Sequence, residues 1–306
     1  MDYEEILMFK IAYYYYFEEM TQQNIAERLS ISRIKVIKLL EKARQKGIIQ
    51  FHLRKNPEFY LQYEQHLIKK FGLIDVFVVP APNDQSKTNT NLAKAASLYI
   101  NGRLKDDDLI NVGYGDTSSH LLNNLATMAV KPISCVSLTG GVSYYLPDTR
   151  SNVFNANLHL IPAPLLASSP EMAQAIRDEA TINEIFQMAS IASLTVVGIG
   201  GLHENSTIFK TGTLTTNDML YLKTHGAVGD ILSHFIDKDG KLIQTDIEDR
   251  LISMPLETLK SFKTVIGVAA GEHKISAIKG ALRGHYCNIL ITDANTAQKL
   301  LEESDD

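Results

Sequence analysis

Cysteine is almost absent from this sequence, which has only Cys135 and Cys287 among its 306 residues. Both stand in apolar surroundings, with no second cysteine nearby and no spacing typical of metal ligands. We therefore expect two reduced core residues rather than a disulfide.

Long apolar runs are absent as well. No stretch approaches the roughly 18 residues that a membrane span needs. Glu4 and Glu5 make the N-terminus acidic, where a secretory signal would be basic. We expect a cytoplasmic protein that does not enter a membrane.

Signatures of catalysis and of nucleotide binding are missing too. The residues suited to acid or base chemistry form no recognisable catalytic motif; they are Asp116, His203, Asp230, Glu272 and His273. Neither a Walker loop nor a complete dinucleotide fingerprint occurs. We predict no catalytic residue, no cofactor and no metal ion, and a binding function in place of catalysis.

Charge is distributed unevenly along the chain. The net charge is -5, but residues 1–55 carry ten basic and seven acidic residues, so the remainder has a balance of -8. From Arg28 to Lys55 nine basic residues face one acid, Glu41. Such a local excess is what neutralising DNA phosphates requires, so only the basic head is expected to meet nucleic acid.

Residues 21–47 predict two short helices joined by a tight turn. Thr21 and Ser32 are suited to cap the two helices, and Gly47 to end the second. Apolar residues recur at helical spacing in both, namely Ile25, Ala26, Leu29, Val36, Leu39, Leu40 and Ala43. Lysine and arginine lie off that face of the second helix. This is the pattern of a helix-turn-helix, whose second helix enters the major groove.

We predict that this motif binds double-stranded operator DNA. The expected contacts are Gln22, Ser32, Arg33, Lys35, Lys38 and Arg54. Arg33 and Lys35 are the expected base readers, and Arg54 belongs to a short alternating strand after Gly47 that would form a wing. The competing interpretation is a solvated basic helix pair.

A helix over Tyr3–Phe17 is expected to pack under the motif, with Ile6, Leu7, Ile11 and Ala12 in its core. It contains four consecutive tyrosines, residues 13–16, which cannot all face one side of a helix. We expect some to be buried and others exposed. Packing in a core or an interface is favoured over stacking on a base.

The rest of the chain predicts an α/β domain. We divide the sequence into a DNA-binding domain, 1–56, and an effector-binding and oligomerisation domain, 57–306. A helix over 58–71 connects them or pairs two subunits. Apolar runs of strand length recur at 76–80, 109–113, 134–138, 158–162, 194–200, 264–268 and 288–293, with helices expected at 91–101, 117–128, 170–179 and 183–192. Continuously apolar strands separated by helices indicate a doubly wound parallel sheet.

Several strand ends are rich in glycine, serine and threonine, where such sheets bind ligands. The loop 113–119 follows one strand and opens a helix, so its amides and hydroxyls are suited to hold a phosphate. Lys274, before the last crossover helix, is either a phosphate partner or a solvated lysine. Asp230 is either an acceptor for sugar-like hydroxyls or a cap.

Seven stretches of this sequence resemble the SorC family of bacterial transcriptional regulators, in the family's order. They are MTQQNIAERLSISRIKVIKLLEKARQKGII (20–49), VGYGDTSS (112–119), SLTGGV (137–142), LIPAPLLASS (160–169), VGIGG (197–201), GAVGDIL (226–232) and GVAAGEHK (267–274). The resemblance covers nearly the whole chain.

The resemblance implies a winged helix-turn-helix domain followed by a Rossmann-like sugar-binding domain related to phosphosugar isomerases. It also implies a homo-oligomer, commonly a tetramer, and an effector that is a phosphorylated sugar or sugar-like compound. The likeness is fullest to family members that answer to phosphorylated autoinducer-2. In those an arginine follows Pro-Ala-Pro-Leu, whereas Leu166 occupies that position here, so the effector's identity stays open.

Carried over by motif, the resemblance implies an effector pocket. Asp230 would bind effector hydroxyls, Lys274 would bind the phosphate, and the remaining pocket residues would be Gly113, Tyr114, Gly115, Thr117, Ser118, Thr139, Gly140 and Gly141. We therefore predict a transcriptional repressor that the effector releases from DNA. The alternatives are an activator of the same architecture and a sugar-phosphate isomerase with a DNA-binding head. The sequence disfavours the isomerase, because it shows no paired acid and base.

Overall fold

A computed structural model describes residues 3–49, 58–105, 107–128, 132–142, 145 and 155–302. The chain divides into two compact units, Met1–Pro57 and Glu58–Asp306, here called the head and the α/β unit. The predicted wing strand and Arg54 fall outside the described residues.

The head contains three helices, α1 (Tyr3–Tyr16), α2 (Gln22–Leu29) and α3 (Arg33–Gln45). Both predicted caps are confirmed, because Thr21 Oγ1 accepts from the amide of Asn24 at 3.1 Å and Ser32 Oγ accepts from that of Lys35 at 3.2 Å. Ser30 adopts a left-handed conformation with φ of 51°, which ends α2 and turns the chain into α3.

The core of the head is a small apolar cluster shared by the three helices. Its buried members are Leu7, Met8, Ile11, Ile25, Ala26, Val36, Leu39, Leu40 and Ala43. Ile6 is not one of them: the expectation that it is a core residue is wrong, since it is 42% exposed. The tyrosine run behaves as expected, with Tyr13 exposed and Tyr14, Tyr15 and Tyr16 packed against the cluster.

The α/β unit is built on a parallel sheet of seven strands, which confirms the predicted α/β class with a parallel sheet. The strand order is β1-β9-β8-β5-β2-β3-β4. The bounds are β1 (Asp75–Val79), β2 (Leu109–Val112), β3 (Ile133–Ser137), β4 (Ala156–His159), β5 (Leu194–Gly201), β8 (Val265–Val268) and β9 (Ile289–Asp293). The expected strand 158–162 is shifted, because pairing with β3 begins at Ala156 and ends at His159.

Helices cover both faces of this sheet. One apolar cluster joins β2 and β5 to α5 and α6, and another joins β1, β3 and β9 to α4, α13 and α14. The helix bounds are α4 (Glu58–Phe71), α5 (Thr88–Asn101), α6 (Asp116–Met128), α7 (Pro170–Arg177), α8 (Ala180–Ser190), α9 (Thr207–Lys210), α10 (Thr216–Thr224), α11 (Asp246–Asp249), α12 (Leu256–Ser261), α13 (Ile275–Arg283) and α14 (Ala294–Glu302).

Helix α4 belongs to the core of the α/β unit. Leu67 is fully buried, and Tyr60, Ile68 and Phe71 pack against the same cluster. These side chains are therefore used within the chain, whereas Leu61 is 58% exposed.

A β-hairpin that the sequence did not suggest extends the end of β5. It consists of β6 (Gly229–Ile231) and β7 (His234–Ile236), and β6 pairs antiparallel with Ile199–Gly201. The hairpin matters for the site because it carries Asp230.

Both cysteines are free and buried, as expected. Burial raises the pKa of each thiol to about 12. Within the described part of the chain, no helix is long and apolar enough to cross a membrane.

Candidate functional site

The strand order locates a switch point between β2 and β5. From β2 the chain proceeds to β3 and β4 on one side, then returns to β5, β8 and β9 on the other. Loops that leave neighbouring strands in opposite directions open a crevice at their carboxyl ends, where sheets of this kind bind ligands. The two strand ends are Gly113, after β2, and Gly198–Gly201, at the end of β5, and this switch point is here called the crevice.

The loop after β2 approaches β5 closely. The amide of Gly113 donates to the carbonyl of Val196 at 2.8 Å, and a Cβ at Gly113 would lie 2.9 Å from Leu232 Cδ2. Thr117 and Ser118, in the first turn of α6, are buried, and Ser118 Oγ approaches Gly198. Gly115 has φ of 122°, a conformation that favours glycine.

The segment Thr139–Gly141 lies beside this loop, but its polar groups are engaged by the protein. The amide of Gly140 donates to Ile252 O at 2.8 Å, and that of Gly141 to Ala163 O at 2.9 Å. Thr139 Oγ1 lies 2.8 Å from the hydroxyl of Tyr145. A Cβ at Gly140 would be 2.7 Å from the carbonyl carbon of Pro164. Gly140 therefore allows a close approach of the backbone at Pro164, and the ring of Tyr114 packs on Gly141.

Asp230 lies over Gly200, its partner in the β5–β6 register. A Cβ at Gly200 would overlap Asp230 Oδ1 and lie 2.8 Å from its Cγ, so only glycine leaves room for this carboxylate. Asp230 Oδ2 accepts from the amide of Ser233 at 3.2 Å. Burial raises the pKa of Asp230 to about 6, although Lys274 acts in the opposite direction.

Lys274 lies over the next glycine of the same strand. It ends a 3-10 turn, Glu272–Lys274, and its Cγ would be 3.2 Å from a Cβ at Gly201. Burial lowers the pKa of Lys274, and the carboxylates of Asp230 and Asp116 partly offset this effect. Asp230 and Lys274, which the sequence singled out separately, thus lie beside consecutive glycines of β5 and influence each other's pKa.

Two histidines adjoin Lys274. The rings of His203 and His273 meet edge to face, with centroids 4.3 Å apart. Burial and the neighbouring His273 and Lys274 lower the pKa of His203 to about 4, so it is neutral at physiological pH. Its Nδ1 accepts from the amide of Asn205 at 3.2 Å, which leaves the ring proton on Nε2.

The sequence did not indicate that these two histidines adjoin Lys274, nor that glycine is required at position 200. The Gly-Ile-Gly-Gly run at the end of β5 was the available signal. It does not reveal which side chain fills the space above each glycine, since Asp230 and Lys274 arrive from distant parts of the chain.

The turn of the β6–β7 hairpin has an unfavourable backbone. Leu232 and Ser233 have φ of 53° and 66°, values that hairpin turns normally assign to glycine or asparagine. Surrounding contacts hold it: Ser253 Oγ donates to Leu232 O at 2.9 Å, and Leu232 packs on Gly113. Such strain accumulates at functional sites.

A separate cavity of about 430 Å³ opens beside α10. Its lining contains one carboxylate, that of Glu204, and no basic residue; the other lining residues are Phe209, Gly212, Leu214, Thr215, Thr216 and Met219. An anionic ligand is better matched by the crevice that holds Lys274. In the described portion, no cluster of His, Cys, Asp and Glu is arranged to hold a metal ion.

In the head, α3 presents a distinct outer face. At about 100° per residue, Ile34 and Lys38 lie opposite the buried side, Lys35 lies on one flank, and Arg33 lies near the other edge of the buried side. Ile34, Lys35 and Lys38 are exposed and Arg33 is half-buried. Ile34, 58% exposed, is an apolar residue on this face that sequence inspection passed over.

Three of the basic residues counted in the sequence are engaged within the head. Arg28 bonds to Glu18 at 2.9 Å and lies 4.3 Å from the Tyr14 ring centroid, and Lys42 bonds to Glu4 at 2.7 Å. Arg44 donates to the hydroxyl of Tyr16 at 2.9 Å. Gln22 opens α2 and Ser32 caps α3, so each lies at a helix N-terminus.

Comparisons with known proteins define the class. Residues 55–302 match the family described as a putative sugar-binding domain. The chain is 35% identical over 302 residues to the transcriptional regulator LsrR of Klebsiella pneumoniae subsp. pneumoniae, covering 97% of this chain and 93% of that protein. It is 34% identical to LsrR of Enterobacter sp., with the same coverage. This is a transcriptional regulator with a sugar-binding domain.

Solved structures agree with this class. The full-length sorbitol operon regulator SorC from Klebsiella pneumoniae superposes with a TM-score of 0.72 at 28% identity, covering 97% of this chain and 98% of that one. The sugar-binding domain of a transcriptional repressor from Vibrio fischeri superposes with a TM-score of 0.68 at 25% identity, covering 79% and 98%. The chain belongs to the SorC family of transcriptional regulators.

Proposed function

We propose that this protein is a cytoplasmic, homo-oligomeric repressor that leaves its operator when a phosphorylated sugar-like effector binds the α/β unit. The observation that carries the proposal is that Asp230 and Lys274 lie beside consecutive glycines of β5, at the switch point of the sheet, and interact electrostatically. An ammonium suits a phosphate, and a carboxylate suits sugar hydroxyls. The tetramer remains the proposed assembly, and phosphorylated autoinducer-2 the first effector to test.

The head supplies the operator contacts in this proposal. Helix α3, held by α1 and α2 as the recognition helix of a winged helix-turn-helix, would enter the major groove. Lys38 lies on its outer face together with Ile34, which suits the methyl group of thymine, and Lys35 lies on one flank. Arg33 would reach bases or phosphate from the edge of α3, and Gln22, Ser32 and Arg54 would contact the DNA backbone.

The operator proposal is tested by replacing Arg33 and Lys38 separately with alanine. Loss of a bidentate base contact weakens operator binding by about 1 to 3 kcal/mol and relaxes sequence preference at that position, and loss of a phosphate contact weakens all sequences alike. A binding titration measures both effects. Lys46→Ala, at the far end of α3, serves as the control, and normal affinity in both test variants would exclude these residues from the interface.

The effector proposal assigns one role to each part of the crevice. Lys274 pairs with the phosphate, and Asp230 accepts from hydroxyls. Thr117 and Ser118, at the start of α6, lie where the dipole of that helix favours an anion. Gly113, Tyr114, Gly115 and Thr139–Gly141 form the walls, since several of their polar groups are already used by the protein.

Lys274→Ala tests the effector site. We expect normal operator affinity and loss of release by the phosphorylated effector, because the phosphate loses its counter-charge. Operator complexes are titrated with phosphorylated sugars and with phosphorylated autoinducer-2. Lys238→Ala, which changes an exposed lysine of the same unit, is the control. Release of the variant at normal effector concentration would refute the assignment.

A second candidate function is sugar-phosphate isomerisation. The feature that favours it is a candidate acid–base pair: burial raises the pKa of Asp230 to about 6, which suits proton transfer near neutral pH, and burial lowers the pKa of Lys274. Turnover of phosphosugars that Asp230→Asn abolishes would favour the enzyme. A reporter gene measured with and without the protein separates repressor from activator.

A further inference from the structure

The most apolar surface of the head lies on α1, on the side opposite the core. Tyr3, Ile6, Phe9 and Tyr13 are 81, 42, 55 and 51% exposed, and Phe17, directly after the helix, is 79% exposed. At about 100° per residue they occupy an arc of about 120°, and the buried residues of α1 occupy the opposite arc. Helix α1 is therefore apolar on two sides, and its own core uses only one.

This outer stripe, Tyr3–Ile6–Phe9–Tyr13–Phe17, exposes more apolar area than single surface residues do. An aromatic side chain offers about 150 to 250 Å². With the observed exposures, its four aromatic residues present about 400 to 650 Å², which is comparable with the largest patch on a typical monomer and is the size that often marks a functional surface. Within the stripe, Tyr13 and Phe17 stack, with ring centroids 5.4 Å apart and ring planes 15° apart.

We infer that the stripe on α1 is the contact between the heads of two copies of this chain. Pairing two such stripes would bury about 800 to 1,300 Å², which spans the roughly 1,000 Å² that a specific interface needs. The inference deepens the proposed homo-oligomer by naming a surface, and its test requires neither operator nor effector.

The residue pattern fits a parallel pair of α1 helices. Ile6 and Tyr13 are seven residues apart, with Phe9 between them, so they occupy the a and d positions of a heptad. Glu5 then takes position g and Lys10 position e, five residues later. In a parallel pair, a g side chain of one helix meets the following e side chain of the other, so the opposite charges are complementary.

Two-fold symmetry favours a second copy of this chain, rather than a different protein, as the partner of the stripe. A two-fold contact uses the same patch on both chains, so a residue near the axis meets its own equivalent. Two heads related in this way would present two α3 helices, matching the two half-sites that dimeric helix-turn-helix proteins bind.

The test uses disulfide crosslinking of the full chain without DNA. Tyr13→Cys introduces a thiol on the stripe, and the native Cys135 and Cys287 are buried and do not compete. We expect rapid formation of a crosslinked dimer under copper-phenanthroline oxidation. Glu27→Cys, exposed on α2, is the matched control and should crosslink far less.

A second substitution separates contact from chance collision. Phe9→Glu in the Tyr13→Cys protein places a charge in the middle of the stripe, where pairing would bury it. The crosslinking rate should fall on the order of tenfold, with an unchanged melting temperature because Phe9 is already exposed. Crosslinking that is no faster than in Glu27→Cys, or that is insensitive to Phe9→Glu, would overturn the inference. A Tyr13→Cys thiol that resists both crosslinking and maleimide would assign the stripe to contact within the chain, and would overturn it equally.

Discussion

At the scale of single residues, the site depends on two glycines as well as on two charged residues. Gly200 and Gly201 have no side chains, and Asp230 and Lys274 occupy the space above them. The carboxylate of Asp230 occupies the position where a β-carbon of residue 200 would lie, and Lys274 Cγ would be 3.2 Å from a β-carbon of residue 201. The placement of Asp230 therefore depends on glycine at position 200.

Gly200→Ala tests this dependence. The new methyl group would overlap Asp230, so either the carboxylate or the β6 strand must move. We expect a loss of about 1 to 3 kcal/mol in unfolding free energy, together with weaker release by the effector. Chemical denaturation and operator titration measure the two effects. Gly102→Ala is the control, since its new Cβ would meet only Leu98 O at 3.8 Å; equal behaviour of the two variants would contradict the argument.

The ionisation of Asp230 predicts a pH dependence of stability. Its pKa in the folded protein is raised to about 6, so the fold favours the protonated form. Above pH 6 the ionised carboxyl lowers stability relative to Asp230→Asn, and this deficit disappears as the pH falls towards the ordinary pKa of an aspartate. As the pH falls from about 7.5 to roughly 4.5, the unfolding free energy of the wild type should therefore rise relative to that of Asp230→Asn.

Urea denaturation at several pH values measures that difference. Asp84→Asn provides the control, because hydrogen bonds to Ser86 lower the pKa of Asp84 and keep it ionised through this range in the folded state. A difference between wild type and Asp230→Asn that is constant with pH would show that Asp230 is not held near pH 6.

At the scale of elements, the β6–β7 hairpin is the least predictable part of the α/β unit. It is three residues per strand, joined by Leu232 and Ser233 in left-handed conformations. The local sequence does not predict such a turn, because neither Leu232 nor Ser233 favours positive φ. Packing of Leu232 on Gly113 and the bond from Ser253 impose it, and Asp230 is delivered to the crevice as a result.

Ser233→Gly should therefore stabilise the protein. Glycine removes the strain at φ of 66° and also removes a buried hydroxyl that has no hydrogen-bond partner among the described residues. We expect a gain of about 1 kcal/mol, seen as a higher melting temperature. Ser206→Gly is the contrasting variant: its φ is -68° and its hydroxyl bonds to His203 O at 2.8 Å, so it should be destabilised. A loss of stability in Ser233→Gly would show that the hydroxyl has a partner or a role in the fold.

In the head, the periodicity of the sequence predicted the buried faces of α2 and α3, but it was ambiguous for α1. The caps and buried face of α2 and α3 match their sequence pattern, because polar caps and an apolar face leave few other arrangements. For α1 the pattern was ambiguous, since apolar residues surround the helix and Ile6 was placed on the wrong side. A helix that is apolar on two faces does not reveal which one its own domain uses.

At the scale of the whole molecule, charge and chemistry are divided between two units. The head carries the basic balance, and the α/β unit carries the acidic remainder together with the crevice. In the proposed switch, the effector favours the arrangement of subunits that binds DNA weakly, and the coupling equals the difference in effector affinity between the two arrangements. Contact between heads through α1 would let one chain's effector influence two recognition helices.

The sequence alone determined the helix pair with its caps, the division of charge, the α/β class and the positions of the strand ends, because these follow from local periodicity and composition. It also marked Asp230 and Lys274 as candidates. Only the tertiary structure decided that they lie beside Gly200 and Gly201, that the amides of Gly140 and Gly141 are already used, and that Ile6 faces outward. Those outcomes depend on contacts between residues far apart in the chain, for which a sequence of one protein carries no local signal.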